Sequence, residues 1–321
     1  MKLAFIIDPI AKLDPTHDTS VALMEAACKQ GYEVFVTSKE SLSIVNGKAQ
    51  AFLEPVYIYP VQLIDDPIIK KWKAQTPWYK QETGSYEFLE TMQVVWMRPD
   101  PPVTVEYIYA TYILDYVGDR TLVVNSPKGI RSANEKVYAL QFSCTPETIV
   151  SSQKSIIKEF VRAKGQAVIK PLDGKGGEGI LFATVGDRNL NSIIEVSTKF
   201  GKVPVMVQAY LPAAQQGDKR IIILNGEPIG AVNRIPSSGE FRGNMAAGGS
   251  VAKTEITPRE LEICQELCPI LQKDGLMFVG IDVIGGYLTE VNVTSPTGIR
   301  EIDRLNDVRL AEQVMTWLES I

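Results

Sequence analysis

Histidine is nearly absent from this sequence: His17 stands alone among 321 residues. Paired histidines and His-rich zinc sites are therefore excluded, and a Ser-His-Asp triad would have to be built on that one loop residue. Any chemistry must rest on Lys, Arg, carboxylates, amides and backbone groups. Cysteine is also scarce. Cys28, Cys144, Cys264 and Cys268 are scattered, none in a C-x-x-C pair, which reads as free and mostly buried thiols rather than a redox or metal site. A basic surplus is missing too, since the net charge is −5, which argues against a general nucleic-acid or membrane-surface binder while leaving room for a local basic cleft. The opening MKLAFIIDPI has one lysine and a short apolar run that meets Asp8 and Pro9. That run is too short for a signal segment or a membrane span, so a first buried strand of a cytoplasmic protein is expected.

What is present is enough hydrophobic content, 45 %, for real cores, and enough length for two or three domains. LAFIID (3–8), a helix over Thr19 to Gln30 and EVFVTS (33–38) form a β-α-β unit, with Asp18, Thr19 and Ser20 offering N-cap chemistry and Gly31 a C-cap. VVWM (94–97), the loop RPDPP, a helix over Val105 to Val117 and TLVVNS (121–126) repeat the theme. Alternation of this kind implies a parallel sheet with ligand-holding loops at its carboxyl ends, which makes Asp8, Ser20, Arg98 and Asp100 candidates. Simple turn capping explains Asp8 and Asp100 equally well. Residues 52–92 read as irregular and aromatic-rich. Later, NEKVYALQF (134–142) reads as helical, and a series of strands and helices ends in one terminal helix.

VIKPLDGKGGEGI (168–180) matches G-x-G-x-x-G at Gly174, Gly176 and Gly179. A dinucleotide fingerprint needs a helix after the glycines, but ILFATV (180–185) follows, a strand. A Walker A loop fails as well, because Gly176 stands where Ser or Thr must follow Lys175. What survives is a hairpin loop of low bulk whose backbone N–H groups could wrap phosphate oxygens, or a merely flexible surface loop.

FVGIDVIGGYLTEVNVTSPTG (278–298) is more informative. Glu290 and Asn292 are two apart on a strand, so both project from one face, as oxygen ligands for Mg²⁺ should. Asp282 joins them only if the register allows. A two-residue turn at Gly285-Gly286 alone puts Asp282 opposite Thr289, whereas a three-residue loop or an equivalent bulge puts it opposite Glu290, and that arrangement is predicted. Clustered acceptors in an apolar sheet repel unless a cation neutralises them. Cationic side chains recur at Lys136, Lys170, Lys219, Arg220, Arg234 and Arg242. Singly each reads as surface charge; together with the loop and the acids they suggest a nucleoside triphosphate held between two β-rich lobes.

The chain resembles the ATP-grasp ligases, and within them the bacterial glutathione synthetase family, over essentially its whole length. The strings that carry this are FIIDPIA, WMRPDPP, YIYATYIL, VNSPKGIRSANEK, IKPLDGKGGEGI, GDKRIII, RIPSSGEFRGNMAAGG and GIDVIGGYLTEVNVTSPTGIREI. The resemblance implies an α/β protein with α+β lobes: an ATP-grasp fold with a Rossmann-like parallel-sheet domain at 1–125, a central lobe at 126–206 and a C-terminal lobe at 207–321. It implies ligation of L-γ-glutamyl-L-cysteine to glycine through an acyl phosphate, with ATP and Mg²⁺ (or Mn²⁺) as cofactors, no nucleic-acid or membrane partner, and a homotetramer. Other ATP-grasp carboxylate–amine ligases, or a nucleotide-binding regulator without catalysis, are the alternatives.

Carried over motif by motif, Lys136 and Lys170 would contact phosphates and adenine, and Gly174, Lys175, Gly176 and Gly177 would cover the phosphates. Gln208, Tyr210 and Leu211 would meet adenine, Asp218 the ribose and Arg220 the phosphates. Asp282, Glu290 and Asn292 would ligate Mg²⁺. Arg234 and Arg242 would face the transferring phosphoryl group and the substrate carboxylate, assisted by Asn244, while Ser295, Pro296 and Thr297 would line the acceptor end. Lys175 departs from the family pattern, where an uncharged residue is expected; a phosphate contact and a solvent-facing side chain are equally open. The stretch 235–250, rich in glycine, has the flexibility of a lid that keeps water from a reactive acyl phosphate.

Overall fold

The computed structural model describes residues 1–65, 70–237, 243 and 248–321. Lys2–Ile6 is apolar after its first residue and buried on both faces, as a central parallel strand must be. It pairs in parallel with Glu33–Thr37 on one side and Val94–Met97 on the other, and Leu122–Val124 extends the sheet beyond Val94–Met97. The connecting helix Thr19–Lys29 starts where Asp18 Oδ1 accepts the Val21 N–H at 3.0 Å, and Gly31 leaves it at φ +76°.

Residues 52–92 are not irregular. Lys48–Ile58 is a strand antiparallel to Glu33–Thr37, and Tyr79–Gln81 and Ser85–Phe88 pair with it. Gln62–Ile64 and Lys71–Lys73 form a separate ribbon. The alternation in Lys48–Ile58 runs through Ala49, Ala51 and Leu53, slips by one residue at Glu54–Pro55 and resumes at Val56 and Ile58, so its period is faint in sequence. The ribbon docks far away in sequence: Trp72 Nε1 donates to Arg300 O at 2.7 Å, and the Arg300 guanidinium lies 4.9 Å from the Trp72 ring.

The middle lobe is a four-stranded antiparallel sheet in the order Thr148–Ser151, Val205–Ala209, Gln166–Pro171, Leu181–Thr184. Helices Lys154–Lys164 and Leu190–Ser197 cover it through a core of its own built on Ile157, Val161, Ile169, Ile194 and Val207. Because the strand Val205–Ala209 is continuous, a lobe boundary at 206/207 would cut it, and the sheet carries the lobe to Ala209.

The C-terminal lobe is a five-stranded sheet ordered Ser250–Lys253, Glu227–Ile235, Asp218–Leu224, Phe278–Ile284, Tyr287–Asn292. Helix Pro258–Lys273 packs on it and opens with a complete capping box between Thr257 and Glu260. The chain ends in two helices rather than one, Ile299–Asn306 and Leu310–Glu319, separated by Asp307 in the left-handed region at φ 56°. Cys144 and Cys264 are buried thiols whose pKa values burial pushes up to about 11 and about 12, so neither offers a thiolate near neutrality. Among the described residues no helix is long and apolar enough to cross a membrane.

The first and last parts of the chain share one core. Leu3, Phe5 and Trp96 of the parallel sheet pack in the same cluster as Ile222 and Phe278 of the C-terminal sheet and Ile302, Leu310 and Val314 of the last helices. Asn125 pins this junction. Its amide nitrogen donates to Phe278 O at 2.8 Å and Val293 O at 2.7 Å, and its oxygen accepts the Phe278 N–H at 2.8 Å. Asn125→Ala leaves those buried backbone groups unpaired, so urea denaturation should show a loss of about 3 kcal/mol. The loss should appear in the shared N- and C-terminal unfolding step.

Candidate active site

A cavity of about 690 Å³ opens between the three lobes. Its floor is set by one irregularity. Gly285-Gly286 makes a two-residue turn, with Ile284 opposite Tyr287 and Val283 opposite Leu288; a bulge between Asp282 and Val283 then brings Asp282 opposite Glu290. Thr289 is the extra residue, and its hydroxyl donates to Asp282 O at 3.1 Å. The bulge, and not a longer loop, is thus the device that gathers Asp282, Glu290 and Asn292 at the cavity wall.

These acids are tied to cations. Arg220 grips Asp282 in a fork, Nε to Oδ1 at 2.5 Å and Nη2 to Oδ2 at 3.1 Å, and donates from Nη1 to Thr297 O at 3.2 Å. Arg234 Nη2 lies 2.9 Å from Asp282 Oδ2 and also donates to Asp218 Oδ2. Burial alone would raise the Asp282 pKa, but the two guanidiniums override it and hold the carboxyl well below the usual range. Asp218 moves the other way, raised by burial that Arg234 only partly offsets. Lys136 Nζ donates to Gly174 O at 2.8 Å and sits 3.1 Å from Glu290 Oε1. It is placed by a turn in which Asn134 Oδ1 accepts the Lys136 and Val137 N–H groups; the helix expected over 134–142 is the short 3-10 helix Val137–Gln141.

Lys170 Nζ donates to Gln208 Oε1 at 2.8 Å, and Gln208 Nε2 donates to Thr148 Oγ1 at 3.1 Å. Burial lowers the Lys170 pKa, against the pull of Glu290 and Asp218. Val168, Ile180, Ala209, Leu211 and Ala214 give this end an apolar lining, and Tyr210 meets Phe182 edge-on at 4.9 Å. The glycine loop lies between two paired strands, as the sequence implies, with Gly176 and Gly177 at φ 59° and 81°. A Cβ at Gly174 would meet Glu178 O at 2.9 Å, so this loop turns back on itself too closely for a side chain there. Lys175 lies half-exposed at the edge of the cavity, where its Nζ bonds Asp100 Oδ2 at 3.2 Å and joins the loop to the N-terminal domain.

Arg234 Nε and Asp218 Oδ1 are buried with no hydrogen-bond partner. A buried guanidinium N–H left open beside Lys136, Lys170 and Arg220 is what an anionic ligand would complete. For a divalent cation the donor chemistry also fits. Asp282 and Glu290 supply carboxylates, and Asn292 donates from Nδ2 to Gly280 O at 3.1 Å, which leaves its amide oxygen as a third hard donor. No cluster of three or more His, Cys, Asp or Glu side chains suited to a metal occurs among the described residues.

Ser295, Pro296 and Thr297 line the cavity, whereas Asp8, Ser20 and Arg98 stand behind its wall. Arg98 is buried, donating from Nε to Ser20 Oγ at 2.8 Å and from Nη2 to Pro296 O at 3.0 Å and Ser295 Oγ at 3.2 Å. Asp8 Oδ2 accepts the Asp100 N–H at 2.9 Å. Arg242 and Asn244 lie outside the described residues, as does most of the expected lid.

Several cavity residues escaped the sequence reading. Glu135 is one: its Oε1 accepts from Val293 N, Thr294 N and Thr294 Oγ1 at 2.9, 3.0 and 2.8 Å, fixing the chain just after Asn292. Burial and the neighbouring Glu290 raise its pKa. His17 and Glu301 are another pair, Nδ1 to Oε1 at 2.6 Å, 284 residues apart in sequence. Both Glu135 and Glu301 lie within the strings NEK and REI, but nothing in the local pattern assigns them a partner.

Comparison with known proteins agrees with this geometry. The pattern of the prokaryotic glutathione synthetase N-terminal domain matches residues 1–131, and that of the prokaryotic glutathione synthetase ATP-grasp domain matches residues 135–307. The chain is 65 % identical to the glutathione synthetase of Nostoc sp. over 99 % of its length and 98 % of that protein. It is 62 % identical to the glutathione synthetase of Thermosynechococcus vestitus over all of both chains. Among solved structures, D-cycloserine synthetase DcsG superposes with a TM-score of 0.63 at 14 % identity, covering 100 % of this chain and 99 % of that one. The ATP-grasp ligase PsnB with its minimal precursor superposes at 0.61 and 16 %, covering 99 % and 97 %. At such identities these two show the shared fold.

The single histidine makes one electrostatic expectation directly readable. The hydrogen bond to Glu301 chiefly raises the His17 pKa, opposed by desolvation and aided by Asp14 and Asp18. An NMR titration of the lone imidazole should give a midpoint above the ordinary histidine value, and Glu301→Gln should bring it down. Because the folded value is the raised one, the associated stability is present in acid and lost as pH rises through the folded midpoint. For the half-exposed Lys175–Asp100 pair, Lys175→Ala should change thermal stability by no more than about 0.5 kcal/mol.

Proposed function

The chain belongs to the prokaryotic glutathione synthetase family, and from that premise we infer that it joins L-γ-glutamyl-L-cysteine to glycine with cleavage of ATP to ADP and phosphate. It is an ATP-dependent carbon–nitrogen ligase of the ATP-grasp fold. The observation that carries the site assignment is the floor of the cavity, where one bulge aligns Asp282 with Glu290 beside four cations, Lys136, Lys170, Arg220 and Arg234.

The chemistry follows from leaving groups. A carboxylate does not react with an amine at neutral pH, because oxide would have to leave. Moving the γ-phosphoryl group of ATP onto the cysteinyl carboxylate gives an acyl phosphate, from which phosphate leaves when the glycine amine attacks. No protein nucleophile is needed, which suits a cavity whose sole imidazole is occupied by Glu301.

The residues' work is placement and neutralisation of charge. The apolar stretch around Val168, Leu211 and Ala214 receives adenine, with backbone from Gln208 to Leu211 reading its edge. The unpartnered Asp218 oxygen accepts from the ribose. The glycine loop, anchored by Lys136 at Gly174 O, wraps the phosphates, and Lys170 and Arg220 offset their charge. The open Arg234 Nε faces the transferring group, and Arg242 and Asn244 act from the lid, whose closure keeps the acyl phosphate from water. Ser295 to Thr297 form the acceptor end, held from behind by Arg98, which Ser20 in turn orients, while Asp8 fixes the neighbouring Asp100 turn. Asp282, Glu290 and Asn292 would hold Mg²⁺, with Mn²⁺ as a substitute; when bound it offsets phosphate charge as a Lewis acid. The three-lobe division, with the second boundary after Ala209, a cytoplasmic location and a homotetramer belong to the same reading.

Phosphate release should require ATP, γ-glutamylcysteine and glycine together; release that ignores the dipeptide but responds to another carboxylate donor would overturn the substrate choice. EDTA should abolish it and Mg²⁺ restore it. Lys170→Met should raise KM for ATP about tenfold or more, and Arg242→Ala should retain nucleotide binding while losing ligation.

A further inference from the structure

His17 and Glu301 are not accounted for by nucleotide binding. Both line the cavity, at the end where the N-terminal domain closes it with His17, Asp18, Asp100 and Pro101. Glu301 is only 7 % exposed; one oxygen bonds His17, and the other is buried with no hydrogen-bond partner. A sealed carboxylate oxygen without a donor is costly, and a ligand donor would relieve it. His17 is less enclosed, its side chain 40 % exposed, and with Nδ1 committed to Glu301 its Nε2 is left for another partner.

The neighbouring charged side chains have contacts of their own. Asp18 caps the helix at Val21 N, Asp14 holds Thr16, and Arg300 is bound to Glu25 and stacked on Trp72. Arg300 thereby fixes the helix turn that carries Glu301. Through Thr297 O, the same segment is joined to Arg220 at the phosphate end.

Resting on the ligase reading above, we propose that Glu301 and His17 recognise the α-amino-acid head of the γ-glutamyl group, Glu301 accepting from its ammonium and His17 Nε2 donating to its α-carboxylate. A carboxylate beside an imidazolium is the charge complement of a zwitterion, and the protonation of His17 that this requires is favoured by Glu301, Asp14 and Asp18. Glycine is also a zwitterion, but its amine must lose a proton to attack. A buried carboxylate would hold that amine protonated and unreactive, so the pair suits the ammonium that takes no part in the reaction.

The test uses two analogues: glutaryl-cysteine, which lacks the ammonium, and 4-aminobutanoyl-cysteine, which lacks the α-carboxylate. Wild-type kcat/KM should fall about 10- to 100-fold with each, as expected for loss of a hydrogen bond to a charged group. Glu301→Gln should impose a similar loss with γ-glutamylcysteine but little further loss with glutaryl-cysteine. His17→Ala should do the same with respect to 4-aminobutanoyl-cysteine, and KM for glycine and ATP should stay within about twofold in both variants. Equal penalties with parent and analogue, or a penalty that appears in KM for glycine, would overturn the assignment. If Glu301→Gln does not fold, the more exposed His17 variant decides alone. Wild-type enzyme that releases no phosphate with γ-glutamylcysteine and glycine would instead count against the ligase reading itself.

Discussion

Everything at the cavity floor depends on one extra residue in a strand. With a regular ladder, Asp282 would oppose Thr289, and Glu290 and Asn292 would lie on the other face of the sheet from it. The bulge at Thr289 brings Glu290 onto the face that Asp282 shares with Arg220, and Thr289 itself ties the distortion down by donating to Asp282 O. Once Asp282 faces the cavity it must be neutralised, since a lone buried carboxylate costs several kcal/mol. Arg220 on the adjacent strand, directly opposite in register, and Arg234 one strand further supply the charge. Those arginines line the cavity as a consequence of having been positioned for Asp282.

The same economy runs through the rest of the wall. Lys136 holds Glu290 and the glycine loop at once; Glu135, its neighbour in sequence, holds the chain that leaves Asn292. A single turn around Asn134 thus sets both the cation and the clamp. Because these groups are buried and mutually satisfied, the cavity is preorganised before a ligand arrives. Among the fully buried side-chain atoms of the described wall residues, Arg234 Nε, Asp218 Oδ1 and Glu301 Oε2 have no hydrogen-bond partner.

Local patterns made much of this legible. The spacing of Glu290 and Asn292 places them on one face, and the register condition on Asp282, with a bulge as one solution, follows from the sequence alone. The glycine stretch showed by its following strand that it was a hairpin. The two β-α-β units could be read from their apolar runs and caps. What could not be read was whatever depends on long-range closure. The slip in alternation at Glu54–Pro55 hides the strand Lys48–Ile58, and the ribbon at Trp72 makes sense only against Arg300. His17 looked like a loop residue because its partner lies at the other end of the chain.

That long-range closure also explains how the His17–Glu301 end of the cavity is built. The N-terminal sheet and the last two helices share a core, so the loop carrying His17 and the helix carrying Glu301 are parts of one packed body despite their separation in sequence. The middle lobe has a separate core and reaches this body through the glycine loop, whose Lys175 bonds Asp100. A weak, half-exposed ion pair is the right kind of link there. It can hold the loop near the N-terminal domain without fixing it, whereas a buried pair would cost too much to open on each turnover. The rigid junction therefore falls at the end of the cavity lined by His17 and Glu301, and the adjustable one at the glycine loop.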